Sequence, residues 1–113
     1  MKAIILVMRN LPANGMAIFP FILVKSDVLK KDLILINHEK IHLKQQLELL
    51  ILPFYLIYLV NYLVNLLRYK NHYQAYVNIS FEREAYLFEQ DLNYLNKRKN
   101  LNWLKFLRSN KVD

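Results

Sequence analysis

The chain has no cysteine, one glycine and three prolines among 113 residues. The first absence removes disulfides, thiolate metal sites and cysteine nucleophiles, and fits a reducing compartment. The scarcity of glycine, beside a hydrophobic content of 55%, excludes a disordered chain. Acids are also few. Nine Asp and Glu face 16 Lys and Arg, a net charge of +7. That excess describes a basic, solvated surface, and no nucleic-acid motif accompanies it, so no nucleic-acid partner is expected. An anionic membrane surface is the better candidate partner. The length suits one domain, residues 1–113, with a core of its own. The N-terminal apolar run ends at Arg9, too early for a secretory segment. The expected location is therefore cytoplasmic, or peripheral on the cytoplasmic face of a membrane.

What is present centres on Leu33 to Leu50, LILINHEKIHLKQQLELL. The stretch lacks Gly and Pro and is rich in helix formers. Residues four apart on a helix lie one above the other, so His38 and His42 offer two imidazoles to one metal ion. Glu39 sits where its carboxylate can take a proton from a metal-activated water, the H-E-x-x-H arrangement of zinc-dependent peptidases. Ile34, Leu35, Ile36, Ile41, Leu43, Leu47 and Leu49 imply a largely buried helix. A buried polar seam along it needs partners or a metal, and Gln45 joins that seam.

Before this helix, Ile4–Met8 and Met16–Lys25 read as two strands of a hairpin, with Asn14-Gly15 as the turn signal. Pro20 confines the second run to a sheet edge or a bulge. In zinc peptidases of this general build, such an edge receives the substrate backbone by strand addition. Asp27 or Asp32 is positioned to cap the motif helix, which should run to about Leu52 and break at Pro53. Residues 49–67 carry no charge. They suit a core or membrane-peripheral helix better than a single span, which would separate the His pair from any later ligand; an integral placement stays open. From Ser80 to Lys97 the apolar spacing is helical. The tail, residues 97–113, is basic and amphipathic, suited to docking on the core or on anionic lipid.

A catalytic zinc takes three protein ligands and leaves one position open. Glu48 follows His42 by six residues and points away if the helix continues, which excludes it. His72 lies in a polar segment and remains an option. Glu82, in SFEREAY, is the stronger candidate, because Ala85 on the same face would let two helices approach closely. Glu84 should point elsewhere, as a surface charge.

HEKIHLKQQ followed by FEREA resembles the gluzincin metallopeptidases, whose H-E-x-x-H is completed by a Glu in an E-x-x-A-D motif on a later helix. It is most similar to small peptidase domains with an H-E-x-x-H-x-x-Q-Q helix. The resemblance covers roughly residues 34–92 and implies that His38, His42 and Glu82 hold Zn²⁺ while Glu39 is the general base. Tyr86 stands where the family has Asp, a residue that supports a ligand histidine; Tyr86 itself or Glu89 is available for that task. Tyr73, Tyr76 and Tyr86 are the candidates for oxyanion stabilisation.

These readings give an α+β chain, mostly α, with an N-terminal β-hairpin before a zincin-like helical core. The expected function is zinc-dependent hydrolysis of peptide bonds in a peptide or protein substrate. The alternative is a non-catalytic, membrane-associated binding module with a structural or degenerate zinc site.

Overall fold

The computed structural model describes residues 3–107. Its N-terminal apolar runs form a three-stranded sheet: β1 (Ile4–Val7), β2 (Gly15–Ile18) and β3 (Phe21–Val24), in the order β1-β3-β2. The second run splits at Phe19-Pro20. Pro20 has no N–H for a ladder, and it occupies the tight turn between β2 and β3, neither an edge strand nor a bulge. The hairpin is therefore β2 with β3, antiparallel with Ala17 opposite Ile22. β1 pairs instead with β3, in parallel, with Ile5 opposite Ile22. Met8 N–H on Val24 O (2.8 Å) and Ile4 N–H on Pro20 O (3.2 Å) extend that ladder.

Side chains alternate across a strand. Ile22 and Val24 are accordingly buried, and with Ile5 and Val7 they pack against Ile36 and Leu43. Those last two lie on α1 (Leu33–Glu48), the motif helix. Asp32 caps it, accepting from Leu35 N–H at 3.1 Å. Ile34 and Leu47 turn out exposed, so the helix buries its motif face more fully than its full apolar complement.

α1 stops at Glu48, before Pro53. Leu50 adopts a left-handed φ of 59°, and Ile51 N–H bonds Gln46 O at 2.7 Å while Leu50 N–H bonds Leu47 O at 3.2 Å. This is a Schellman ending with leucine in glycine's usual place. Ile51 follows at φ 75°, ψ −70°, with Leu52 N–H on Leu50 O at 3.0 Å, the rare γ-turn geometry. The turn sets α2 (Leu52–Tyr69) at 112° to α1. Pro53 sits in the first turn of α2, where its missing N–H costs nothing.

Residues without a clear reading form α3 (His72–Val77). The expected helix over 80–97 is divided into α4 (Ser80–Phe88) and α5 (Tyr94–Lys97). Asn37 on α1 produces the break: its amide donates to Glu89 O at 2.7 Å and Asp91 O at 3.0 Å, carbonyls that a continuing helix would have used itself. In the tail, Asn102–Phe106 is a 3-10 helix that seats Trp103 against Phe54, Ile79 and Phe81. The tail thus docks on the core; residues 108–113 of that expectation lie outside the described residues. No single helix among the described residues is long and apolar enough to cross a membrane.

The left-handed Leu50 is a removable strain, because its side chain is 82% exposed and a non-glycine residue in that region costs of order 1–3 kcal/mol. Leu50→Gly is expected to raise the unfolding free energy by about 1 kcal/mol after glycine's own entropic cost. Urea denaturation monitored by far-UV circular dichroism measures it.

Candidate metal centre

Four-residue spacing on α1 places His38 and His42 side by side, and α4 brings Glu82 to them. His38 Nε2 and His42 Nε2 are 3.2 Å apart, and each lies 3.1 Å from Glu82 Oε1. A tetrahedral ion with bonds of about 2.0–2.1 Å would hold its ligands roughly 3.3 Å apart. The three atoms already form such a triangle, and all three residues are buried. Ala85, fully buried beside Ile41, supplies the close helix contact that this requires.

The remaining ring nitrogens determine what the triangle presents. His38 Nδ1–H donates to Glu89 Oε1 at 2.8 Å, and His42 Nδ1–H donates to Gln45 Oε1 at 2.8 Å. Gln45 is held the right way round because its amide nitrogen donates to Phe81 O (3.1 Å) and Glu84 Oε1 (2.9 Å). With hydrogens on both Nδ1 atoms, a neutral ring turns an Nε2 lone pair inward. Three lone-pair donors then converge on one point, a repulsive arrangement that only a cation relieves. Tyr58 OH donates to the outer oxygen of Glu82 at 2.7 Å, leaving Oε1 for the shared point. The group can therefore hold a metal ion, with both imidazoles oriented from behind as metal-ligating histidines are.

Without a metal, a proton takes that place. Burial alone would lower the His42 pKa, but the Glu82 carboxylate, its hydrogen bond and Glu39 push it up from 6.5 to about 9. Burial presses Glu82 the other way, yet His42 and the bonds from both histidines hold it far below the carboxylate range.

Glu39 is buried and lines a cavity of about 480 Å³ together with His42 and Glu82. Its carboxylate makes no direct hydrogen bond or ion pair among the described residues, and burial raises its pKa against the pull of His42 and His38. The lone glycine explains how it fits. A Cβ built on Gly15 would stand 3.2 Å from Glu39 Oε2 and 3.1 Å from a Leu35 methyl. Gly15 has no positive φ, so it provides room for Glu39 and no special turn conformation.

The rest of the cavity is mostly apolar: Met16, Ala17 and Ile18 from β2 face Phe54 and Tyr55 from α2. Gln46 ties β2 to α1, its amide donating to Ala17 O at 2.7 Å and accepting from Phe19 N–H at 2.8 Å.

Each other candidate ligand has a separate place. Glu48 binds Arg98 at 2.8 and 3.0 Å and accepts from Leu101 N–H at 2.7 Å. His72 is exposed and shares a hydrogen bond with Tyr62 OH at 2.8 Å. Glu84 is no surface charge: it is fully buried, bound by Arg98, Tyr94 OH and Gln45. Burial would raise its pKa, but those bonds hold it low. Of the three tyrosines considered for oxyanion stabilisation, Tyr76 lines the cavity and Tyr73 is largely exposed. Tyr86 sets its ring edge against His38 at 4.5 Å and pairs its hydroxyl with Tyr76 at 3.1 Å. Glu89 therefore orients His38, and Tyr86 packs beside it. Tyr58 carried no sequence signal, being one of several aromatics in an apolar run. Comparison with protein-family models, curated proteins and solved structures gives no match to this chain.

Two outcomes follow from this geometry. Glu82→Gln should abolish stoichiometric binding of a divalent metal by titration calorimetry, whereas Glu89→Gln should weaken it by about 10- to 100-fold, the usual effect of losing a histidine-orienting partner. Protein stripped by a chelator should show the His42 linkage. A folded pKa raised from 6.5 to about 9 stabilises fully below pH 6.5 and loses that stabilisation as pH climbs through 9. Thermal melts of the stripped protein should fall across that window, and added metal should flatten the fall.

Proposed function

We propose that this chain is a zinc-dependent peptidase, with His38, His42 and Glu82 holding the ion and Glu39 as general base. The observation that carries the reading is the unpaired, buried Glu39 beside the three converging ligand atoms, on one wall of an apolar cavity. Two imidazoles and a carboxylate, with no thiolate available, are a donor set of catalytic zinc in peptidases. When bound, zinc supplies Lewis acidity, polarising the scissile carbonyl and acidifying a water.

The chain's own residues do the rest. Glu39 accepts the proton of the attacking water and passes it to the leaving amine nitrogen. Burial raises its pKa, which makes it a stronger base than a surface carboxylate. β2 is an edge strand and flanks the cavity through Gly15, Met16 and Ala17. A substrate in extended conformation can pair with it there as an added strand. Gln46 already occupies Ala17 O and Phe19 N–H, so that track runs towards Gly15 and Glu39. Met16, Ile18 and Phe54 favour apolar substrate side chains. Tyr76, on the cavity wall, is the hydroxyl best placed to face a developing oxyanion.

The same test separates this enzyme from a non-catalytic zinc-binding module. A library of quenched fluorescent peptides with apolar residues at the cleaved position first identifies a cleaved sequence. Glu39→Gln should then retain full metal content and lose about 10²- to 10⁴-fold in turnover, the range for loss of a general base. Equal turnover in the variant, or no cleavage by the metal-loaded wild type, would assign the chain to the binding module.

A further inference from the structure

We infer that α2 is a lipid-docking helix that lies in the interfacial plane of an anionic bilayer. Seven aliphatic side chains, Leu52, Leu56, Leu59, Val60, Leu63, Val64 and Leu67, are between 48% and 80% exposed. Their spacing of three and four residues makes them one continuous stripe. None is polar.

From Tyr58 to Asn65 the polar residues of the same helix turn towards the protein and are satisfied there, while Arg68 in its last turn is exposed. Tyr58 OH donates to Glu82, Asn61 Oδ1 accepts from Ser80 N–H at 2.9 Å, Asn65 donates to Ala75 O at 3.1 Å, and Tyr62 pairs with His72. Even Tyr55 sends its hydroxyl to Ala17 O, at 3.3 Å. A helix facing water shows the opposite pattern. Polar groups inward and bare aliphatics outward is the arrangement demanded by a solvent that offers no hydrogen bonds.

A protein partner is the less fitting occupant. Interface centres favour Tyr, Trp, Met and Arg anchors, and this stripe has only Leu and Val. Its length, about 22 Å from Leu52 to Leu67 at 1.5 Å per residue, falls short of the hydrocarbon thickness of about 30 Å, which favours lying on the bilayer over crossing it. Arg68 and Lys70 close the helix and give the anionic headgroups a matching charge, on a chain of net charge +7. The inference holds whether or not the metal centre is catalytic.

Flotation of the purified chain with vesicles tests it, using phosphatidylcholine alone and phosphatidylcholine with about 30 mol% phosphatidylglycerol. The wild type should float with the anionic vesicles and much less with the neutral ones. Leu59→Gln combined with Leu63→Gln should reduce partitioning at least 10-fold with an unchanged circular dichroism spectrum and metal stoichiometry. If the double variant does not fold, Leu67→Gln alone, at a site 80% exposed, should still lower partitioning measurably. Arg68→Gln with Lys70→Gln should reduce the preference for anionic vesicles. Wild-type protein that fails to float, or folded stripe variants that float equally well, would overturn the inference. So would a stoichiometric dimer that the stripe variants dissociate and that does not float, which would give the face to a second copy of the chain.

Discussion

Three lone pairs pointing at one another hold the key to this fold. His38 Nε2, His42 Nε2 and Glu82 Oε1 stand 3.1–3.2 Å apart inside a buried site, where unrelieved repulsion between such groups is not screened by water. A cation at their centre would turn that repulsion into attraction. Much of the surrounding structure maintains the convergence. Glu89 and Gln45 fix the ring tautomers from behind, Tyr58 steadies Glu82, and Asn37 interrupts α4 at the point where Glu89 can swing back to His38.

One helix organises all of this. Along α1, Asn37 ends α4, His38 and His42 offer ligands, Glu39 faces the cavity, Gln45 reaches Glu84, and Gln46 holds β2. Every one of these side chains is buried. Burying so many polar groups is tolerable only because each is paired, apart from Glu39. A carboxylate left without a hydrogen-bonding partner in an otherwise satisfied network is the kind of local violation that functional sites carry.

What could be read from the sequence was what depends on local spacing. A helix starting at Leu33 and the shared face of His38 and His42 follow from local spacing. The helix ends at Glu48, short of the expected end at about Leu52, and its cap, open between Asp27 and Asp32, is Asp32. Glu82 followed from a second helix with a small neighbour at Ala85. Features set by contacts between distant residues were not legible. Glu84 looked like a surface charge because its partner Arg98 lies 14 residues on and its burial requires the tail to fold back. The division of Met16–Lys25 into two strands turned on where Pro20 could be placed, and several placements suit a residue without an N–H. Gly15 resembled a turn glycine, since nothing in the sequence reveals that Glu39 packs against it.

The distribution of apolar packing explains why the polar seam matters mechanically. Among the described residues the core consists of three small clusters: Ile22, Val24, Ile36 and Leu43 under the sheet; Phe54, Ile79, Phe81 and Trp103 between α2, α4 and the tail; and Ile41, Ala85 and Tyr94 between α1 and the C-terminal elements. Between them runs the line Glu48–Arg98–Glu84–Gln45–His42, which ends at the metal-ligand triangle. A buried ion pair contributes little net stability but penalises the loss of either partner heavily, so this line acts as a constraint on geometry more than as a source of free energy. It connects the C-terminal tail to one ligand ring through hydrogen bonds. A cation bound by His38, His42 and Glu82 would close that line between α1 and α4, so that binding a metal and locking the helix pair become one event.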